Sequence, residues 1–119
     1  MKICNLTYLN SISPDNPKFV RDMMLLFLKN VRIAYEEMNA SLITSNWKSI
    51  HEHAHKLKSH FDCVGLPKEF REKAKQIEDY TQQLNHLELI PGLLNNLESE
   101  TQSVFKELEE ELNKNLEKC

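Results

Sequence analysis

Four of the five histidines in this chain lie in one short segment, at His51, His53, His55 and His60. The ordinary imidazole pKa of about 6.5 leaves much of the ring unprotonated and nucleophilic near neutral pH. Such a ring can form a covalent intermediate, transfer a proton or bind a metal ion. The residues that lie beside each histidine therefore decide which chemistry the segment can perform.

The histidine segment has the apolar spacing of a buried helix stripe, which comprises Trp47, Ile50, Ala54, Leu57, Phe61 and Val64. His51, His55, Lys58 and Asp62 form a parallel stripe one residue on, about 100° round the helix. We expect them at the edge of the buried face, exposed but held in place. Ser59, one turn after His55, is small enough to let another protein approach the ring.

This arrangement suits phosphoryl transfer. The reaction needs in-line positioning of the nucleophile and neutralisation of charge on the phosphoryl oxygens. A rigid helix would position His55, and Lys58 would supply one positive charge beside it. No acidic pocket for a metal ion is evident in the sequence, so we expect a partner protein to supply the metal.

The elements that carry these residues are predicted to be helices. Two Gly and four Pro leave few helix breakers, and breaks are predicted near residues 13–17, 41–46, 65–67 and 85–92. We expect one all-α domain over residues 1–119, an antiparallel up-down-up-down four-helix bundle with a short N-terminal helix. The other expected core stripes are Val20, Met24, Phe27, Val31, Ala34 and Met38; Leu66, Phe70, Ala74, Ile77 and Leu84, with Tyr80 or Thr81 between; and Ile90, Leu94, Leu97, Thr101, Val104, Leu108 and Leu112.

Composition excludes several classes of function. A net charge of −3 with no basic tract argues against nucleic-acid and membrane-surface binding. Three widely spaced cysteines without a CxxC pair favour a reducing compartment, so we expect a cytoplasmic protein. We expect a monomer, because one reactive histidine per molecule suffices and no leftover apolar stripe demands a second copy. The longest apolar run, Met23 to Leu28, is too short to span a membrane. It is apolar all round its helix, and we expect the N-terminal piece to cover its outer face, with a docking patch as the alternative.

The motif Ala54-His55-Lys56-Leu57-Lys58-Ser59, followed by Val64-Gly65-Leu66, resembles the signature of histidine-containing phosphotransfer (HPt) domains of two-component phosphorelays. That signature is His-x-Leu-Lys-Gly or Ser, with a Gly ten residues after the His. The resemblance extends roughly from Leu6 to Leu112. It implies that His55 is phosphorylated, that Lys58 interacts with the phosphoryl group, that Ser59 permits close approach, and that Gly65 shapes the helix end.

The resemblance also implies the partners and their chemistry. These would be receiver domains of response regulators and hybrid histidine kinases, with Mg²⁺ on the receiver and no cofactor or metal on this chain. We expect the partner surface to comprise Ser59, Gly65, His51, Asp62, Phe19 and Met23, of which the resemblance itself gives only Ser59 and Gly65. Some family members hydrogen-bond the His ring from the next helix, and here both Gln76 and Glu78 are open for that role.

Two other interpretations remain open. His51-Glu52-His53-Ala54-His55 also spells the HExxH zinc-protease motif, but a protease needs a third ligand and a substrate cleft. Zinc or nickel binding by His51 and His55 is expected more readily than proteolysis, and no metal is assigned. The other alternative is a structural or adaptor bundle with solvated histidines. An autonomous kinase is excluded because two glycines cannot build a Gly-rich nucleotide loop, so we expect a carrier rather than an enzyme.

Overall fold

The fold is seen in a computed structural model that describes residues 3–12 and 15–117. A short helix, α1 (Thr7–Ile12), precedes four long helices, α2 (Pro17–Ile43), α3 (Trp47–Cys63), α4 (Lys68–Gln83) and α5 (Ile90–Glu117). A 3-10 turn, Leu87–Leu89, lies directly before α5, and the described ranges contain no strand. The predicted all-α class with a short N-terminal helix is therefore confirmed.

The four long helices form a closed ring in which α2 and α4 each pack against both α3 and α5. The Tyr35 hydroxyl of α2 lies 2.7 Å from the Thr101 hydroxyl of α5, and Asn39 donates to Glu98 over 3.0 Å. Residue numbers thus rise along α2 as they fall along α5, so the two helices are antiparallel. The result is an elongated up-down-up-down bundle measuring 49 × 23 × 22 Å.

Three of the predicted core stripes are buried along nearly their whole length, and Leu84 is the clear exception in the fourth. Leu84 is 63% exposed because it lies beyond the last turn of α4, where its backbone turns into the left-handed region (φ 54°). The buried Thr81 fills the last inward position of that stripe instead. The expectation that the N-terminal piece covers the outer face of the Met23–Leu28 run is wrong for Leu25 and Leu26, which are 44% and 47% exposed.

Gly65 joins α3 to α4 in a conformation that requires glycine. Its φ is +63°, and a Cβ there would lie 2.1 Å from the backbone oxygen of Asn5. The Asn5 amide donates to the carbonyl of Val64 over 2.9 Å. The N-terminal segment can therefore pack on this turn only because residue 65 has no side chain, and that contact helps to fix how α4 lies against α3.

No helix within the described residues is long and apolar enough to cross a membrane.

Candidate functional site

The candidate site lies on the flank of the bundle where α3 faces α4. Ala54 and Leu57 are fully buried, and they fix the rotation of α3 about its axis. Helical spacing then places His55 and Lys58 at the edge of the buried face, toward α4. The His55 side chain is 66% exposed, whereas that of Lys58 is only 14% exposed. His55 is therefore accessible on a helix that the core holds rigidly.

The carboxylate of Glu78 on α4 joins these two side chains. Its Oε2 lies 2.5 Å from Nδ1 of His55, and its Oε1 lies 2.6 Å from Nζ of Lys58. Of the two residues left open by the sequence, Glu78 is thus the one that contacts the ring, while Gln76 donates to the Tyr80 hydroxyl over 3.1 Å. The three side chains form one hydrogen-bonded unit.

The Glu78 contact fixes which ring nitrogen of His55 is available. An ionised carboxylate can only accept hydrogen bonds, so Nδ1 must carry the proton and donate it. In the neutral ring the lone pair then lies on Nε2, the nitrogen farther from the backbone. The exposed end of His55 is therefore its nucleophilic end.

The charge state of Glu78 follows from the same contacts. Burial acts to raise the pKa of this carboxyl group, but the hydrogen bonds and charge of Lys58 and His55 outweigh that effect. The pKa of Glu78 is consequently held below the ordinary glutamate value. The carboxylate remains ionised at neutral pH, which is the state that orients the ring.

His51 lies one helical turn before His55 and contacts the same residue of α4. Its Nδ1 is 2.9 Å from the backbone oxygen of Glu78. A carbonyl oxygen only accepts, so this Nδ1 also carries a proton and the Nε2 of His51 is left with a lone pair. The two histidines are thus oriented alike by two different oxygens of one residue.

The other residues predicted for the partner surface lie in several places. Ser59 is exposed one turn from His55, and Asp62 forms a half-exposed ion pair with Arg71 near the end of α3. Gly65 is half-buried, ten residues from His55, which corresponds to about 15 Å of helix. The structure brings Ser59 close to His55 and gives Gly65 a role in the helix end.

Phe19 and Met23 are not brought near His55. Both are partly buried against the core. The part of α2 that borders the middle of α3 is near Ile33, which lines a groove with His53 and Lys56. Met23 lies ten residues away along α2, about 15 Å. Ile33 itself is 42% exposed, and the sequence reasoning did not single it out as an apolar residue that shares a groove with Lys56, the chain neighbour of His55.

Comparisons with known proteins agree with this fold. The family model described as the Hpt domain matches residues 22–117. Among solved structures, the fold is similar to the crystal structure of histidine-containing phosphotransfer protein B (HptB) from Pseudomonas aeruginosa PAO1. The TM-score is 0.82 at 16% sequence identity, over 94% of this chain and 96% of that chain. At that identity the likeness concerns the fold. No curated protein sequence matches the chain significantly.

Proposed function

This chain belongs to the Hpt domain family, whose members are carriers in two-component phosphorelays, and on that premise we propose that His55 is its phosphoryl-accepting residue. His55 takes the phosphoryl group from the aspartyl phosphate of one receiver domain and returns it to the aspartate of another. The observation that carries the proposal is the Glu78 carboxylate between His55 and Lys58, which leaves Nε2 of an exposed ring free to react.

The transfer step can be written atom by atom. Nε2 of His55 attacks the phosphorus in line, the N–P bond forms, and the P–O bond to the aspartate breaks to release its carboxylate. The Nδ1 proton stays on the ring throughout, so the phosphorylated imidazole carries a positive charge. The Glu78 carboxylate, 2.5 Å from Nδ1, compensates that charge. The return step is the same reaction in reverse.

Lys58 stabilises the phosphoryl group from the side. Its ammonium group has three donors, of which the pairing with Glu78 uses one. The remaining donors are available to phosphoryl oxygens on the neighbouring ring, three residues away along the helix. Glu78 therefore both orients the nucleophile and holds the cation beside it.

The receiver domain supplies the rest of the chemistry. Its bound Mg²⁺ would neutralise charge on the transferred group, and the carrier needs neither a metal nor a nucleotide of its own for the reaction. Docking occurs on the His55 flank, where Ser59 allows close approach and His51 and Asp62 lie along the same helix stripe. The exposed Ile33 of α2, which shares a groove with Lys56, provides an apolar contact on the α2 side of the same helix. A monomer suffices for this reaction, because each chain carries its own His55. We expect the chain to act in the cytoplasm.

A transfer assay tests the proposal. The chain is incubated with a receiver domain carrying radioactive aspartyl phosphate and Mg²⁺, and we expect acid-labile, base-stable label on this chain. His55→Gln should abolish the label, whereas His53→Gln, which removes another imidazole from the same helix, should retain it. Label that persists in His55→Gln refutes the assignment, and the absence of transfer from a panel of receivers refutes the function.

A further inference from the structure

The proposed function uses His55 as the phosphoryl acceptor, but it gives no role to the HExxH spacing that His55 forms with His51. They are four residues apart on α3, so their side chains project from the same face with Cβ atoms about 5–6 Å apart. Both border one open groove between α3 and α4, together with Glu52 and Gln82. The spacing alone is weak evidence, and the orientation of the two rings decides what the pair can do.

Both rings present their Nε2 atoms as acceptors. Nδ1 of His51 donates to the backbone oxygen of Glu78 over 2.9 Å, and Nδ1 of His55 donates to its carboxylate over 2.5 Å. The lone pair of each neutral ring is therefore on Nε2. Two imidazole lone pairs one turn apart on a rigid helix form a chelate for a metal ion.

The hydrogen bonds behind the rings match those that support metal-binding histidines. Such a histidine almost always donates its second ring N–H to a carboxylate or a backbone carbonyl, which fixes the tautomer and makes the other nitrogen more basic. His55 has the carboxylate and His51 has the carbonyl, both from Glu78. Because Glu78 holds both rings through these contacts, the protein itself orients the two ligands.

We propose that His51 and His55 bind a divalent transition-metal ion of the Zn²⁺ class, and that the bound ion blocks phosphorylation of His55. Imidazole ligands suit Zn²⁺, Cu²⁺ and Ni²⁺. No group of three or more His, Cys, Asp or Glu residues that could hold a metal occurs within residues 3–12 and 15–117. The ion is therefore held by two protein nitrogens and completes its coordination with water, which makes it exchangeable rather than structural.

The block follows from the use of a single lone pair. A metal ion on Nε2 of His55 occupies the electrons that would form the N–P bond, so metallated His55 cannot attack phosphorus. Phosphorylated His55 likewise cannot bind the metal through Nε2. Metal binding itself does not depend on the proposed function, whereas its consequence for signalling rests on His55 being the phosphoryl acceptor.

Binding is tested on the purified chain alone. Zn²⁺ is titrated against a chromogenic zinc indicator and followed by nitrogen NMR of the histidine rings. We expect His51 and His55 to shift at Nε2 while their Nδ1 protons remain. Loss of a supporting hydrogen bond typically weakens a metal site about 10–100-fold, so His51→Ala, which removes a ligand, should weaken binding by at least about tenfold. His53→Ala is the matched control and should bind as the unaltered chain does.

Competition is tested with phosphoramidate, a small donor that phosphorylates histidine without a partner protein. Each variant is compared with itself, as the phosphorylation rate with Zn²⁺ divided by the rate without it. Zn²⁺ should slow the unaltered chain and His53→Ala strongly, and His51→Ala at least about tenfold less at a concentration that saturates the unaltered site. Equal binding by His51→Ala and the unaltered chain, or saturating Zn²⁺ without slower phosphorylation, overturns the proposal. Failure of transfer from receivers would count only against the proposed function.

Discussion

Replacing Glu78 by alanine should impair His55 by releasing its ring. The carboxylate holds the proton on Nδ1, and without it the proton can move to Nε2 and cover the reactive lone pair. We expect the fraction of neutral rings protonated at Nδ1 to fall, and the rate of phosphorylation to fall with it. The bundle should remain folded, because the core residues beneath the site, Ala54 and Leu57, are unchanged.

The size of the effect follows from the exposure of the two partners. A hydrogen bond to a charged group contributes about 1.5–3 kcal/mol, whereas an exposed ion pair contributes about 0.2–1 kcal/mol. The Glu78 side chain is 10% exposed and that of His55 is 66% exposed, so the pair lies between these cases. A value of about 1 kcal/mol corresponds to a change of about fivefold in population and rate.

The assay must separate the ring from Lys58, which also loses its partner when Glu78 is removed. Glu78→Ala is therefore made both in the unaltered chain and in Lys58→Met, as a double-mutant cycle. Nitrogen NMR gives the position of the His55 proton, and mass spectrometry gives the rate of phosphorylation by phosphoramidate. We expect a similar loss of rate in both backgrounds. An unchanged Nδ1 proton population, or a loss that disappears in Lys58→Met, would refute the role of Glu78 in orienting the ring.

Three further predictions concern other contacts. Lys58→Met should slow phosphoryl transfer from a receiver about tenfold, because one charge-assisted contact to the phosphoryl group is lost. Its helix content, measured by circular dichroism, should not change. An unchanged transfer rate would exclude the proposed role of Lys58. Gly65→Ala should lower the free energy of unfolding in urea by at least about 2 kcal/mol, because residue 65 has a positive φ and its Cβ would collide with the Asn5 oxygen. Gly92→Ala is the control: the space around Gly92 is open, so the free energy of unfolding should rise by about 0.5–1 kcal/mol. Equal effects of the two substitutions would contradict the packing described. The contacts that lower the pKa of Glu78 stabilise the fold, and their contribution is complete above the ordinary glutamate pKa of about 4.3. That contribution to the free energy of unfolding is lost as the pH falls through the lower pKa of the folded state. In acid denaturation, Glu78→Gln should therefore lack this part of the pH dependence.

The helices were predictable because their signals are local. Apolar residues at three- and four-residue steps define which face of each helix is buried, and the short breaks allow antiparallel neighbours. Asn46 illustrates the same point, since its side chain caps α3 by accepting from the Ser49 amide over 3.2 Å. The position of His55 at the edge of the buried face follows from these local patterns alone.

The partner of His55 was not predictable in the same way. Gln76 and Glu78 are two residues apart, which is about 200° of rotation on α4, so the choice depends on how α4 is set against α3. That setting depends on the turn at Gly65, whose packing involves Asn5, sixty residues earlier in the chain. The prediction that Leu84 is buried was wrong for a related reason. Helix α4 ends where the backbone of Leu84 itself turns left-handed, and the apolar pattern does not show that end.

The single flank occupied by His55 has a kinetic consequence under the proposed function. A donor receiver and an acceptor receiver must reach the same Nε2 atom, and a ring 66% exposed on the side of a bundle 23 Å across cannot serve two docked domains at once. The donor has to leave before the acceptor arrives, so the relay follows ping-pong kinetics with parallel double-reciprocal plots. An excess of unphosphorylated receiver would then inhibit by occupying the shared surface, and the cellular ratio of the two receivers would set the flux through the carrier.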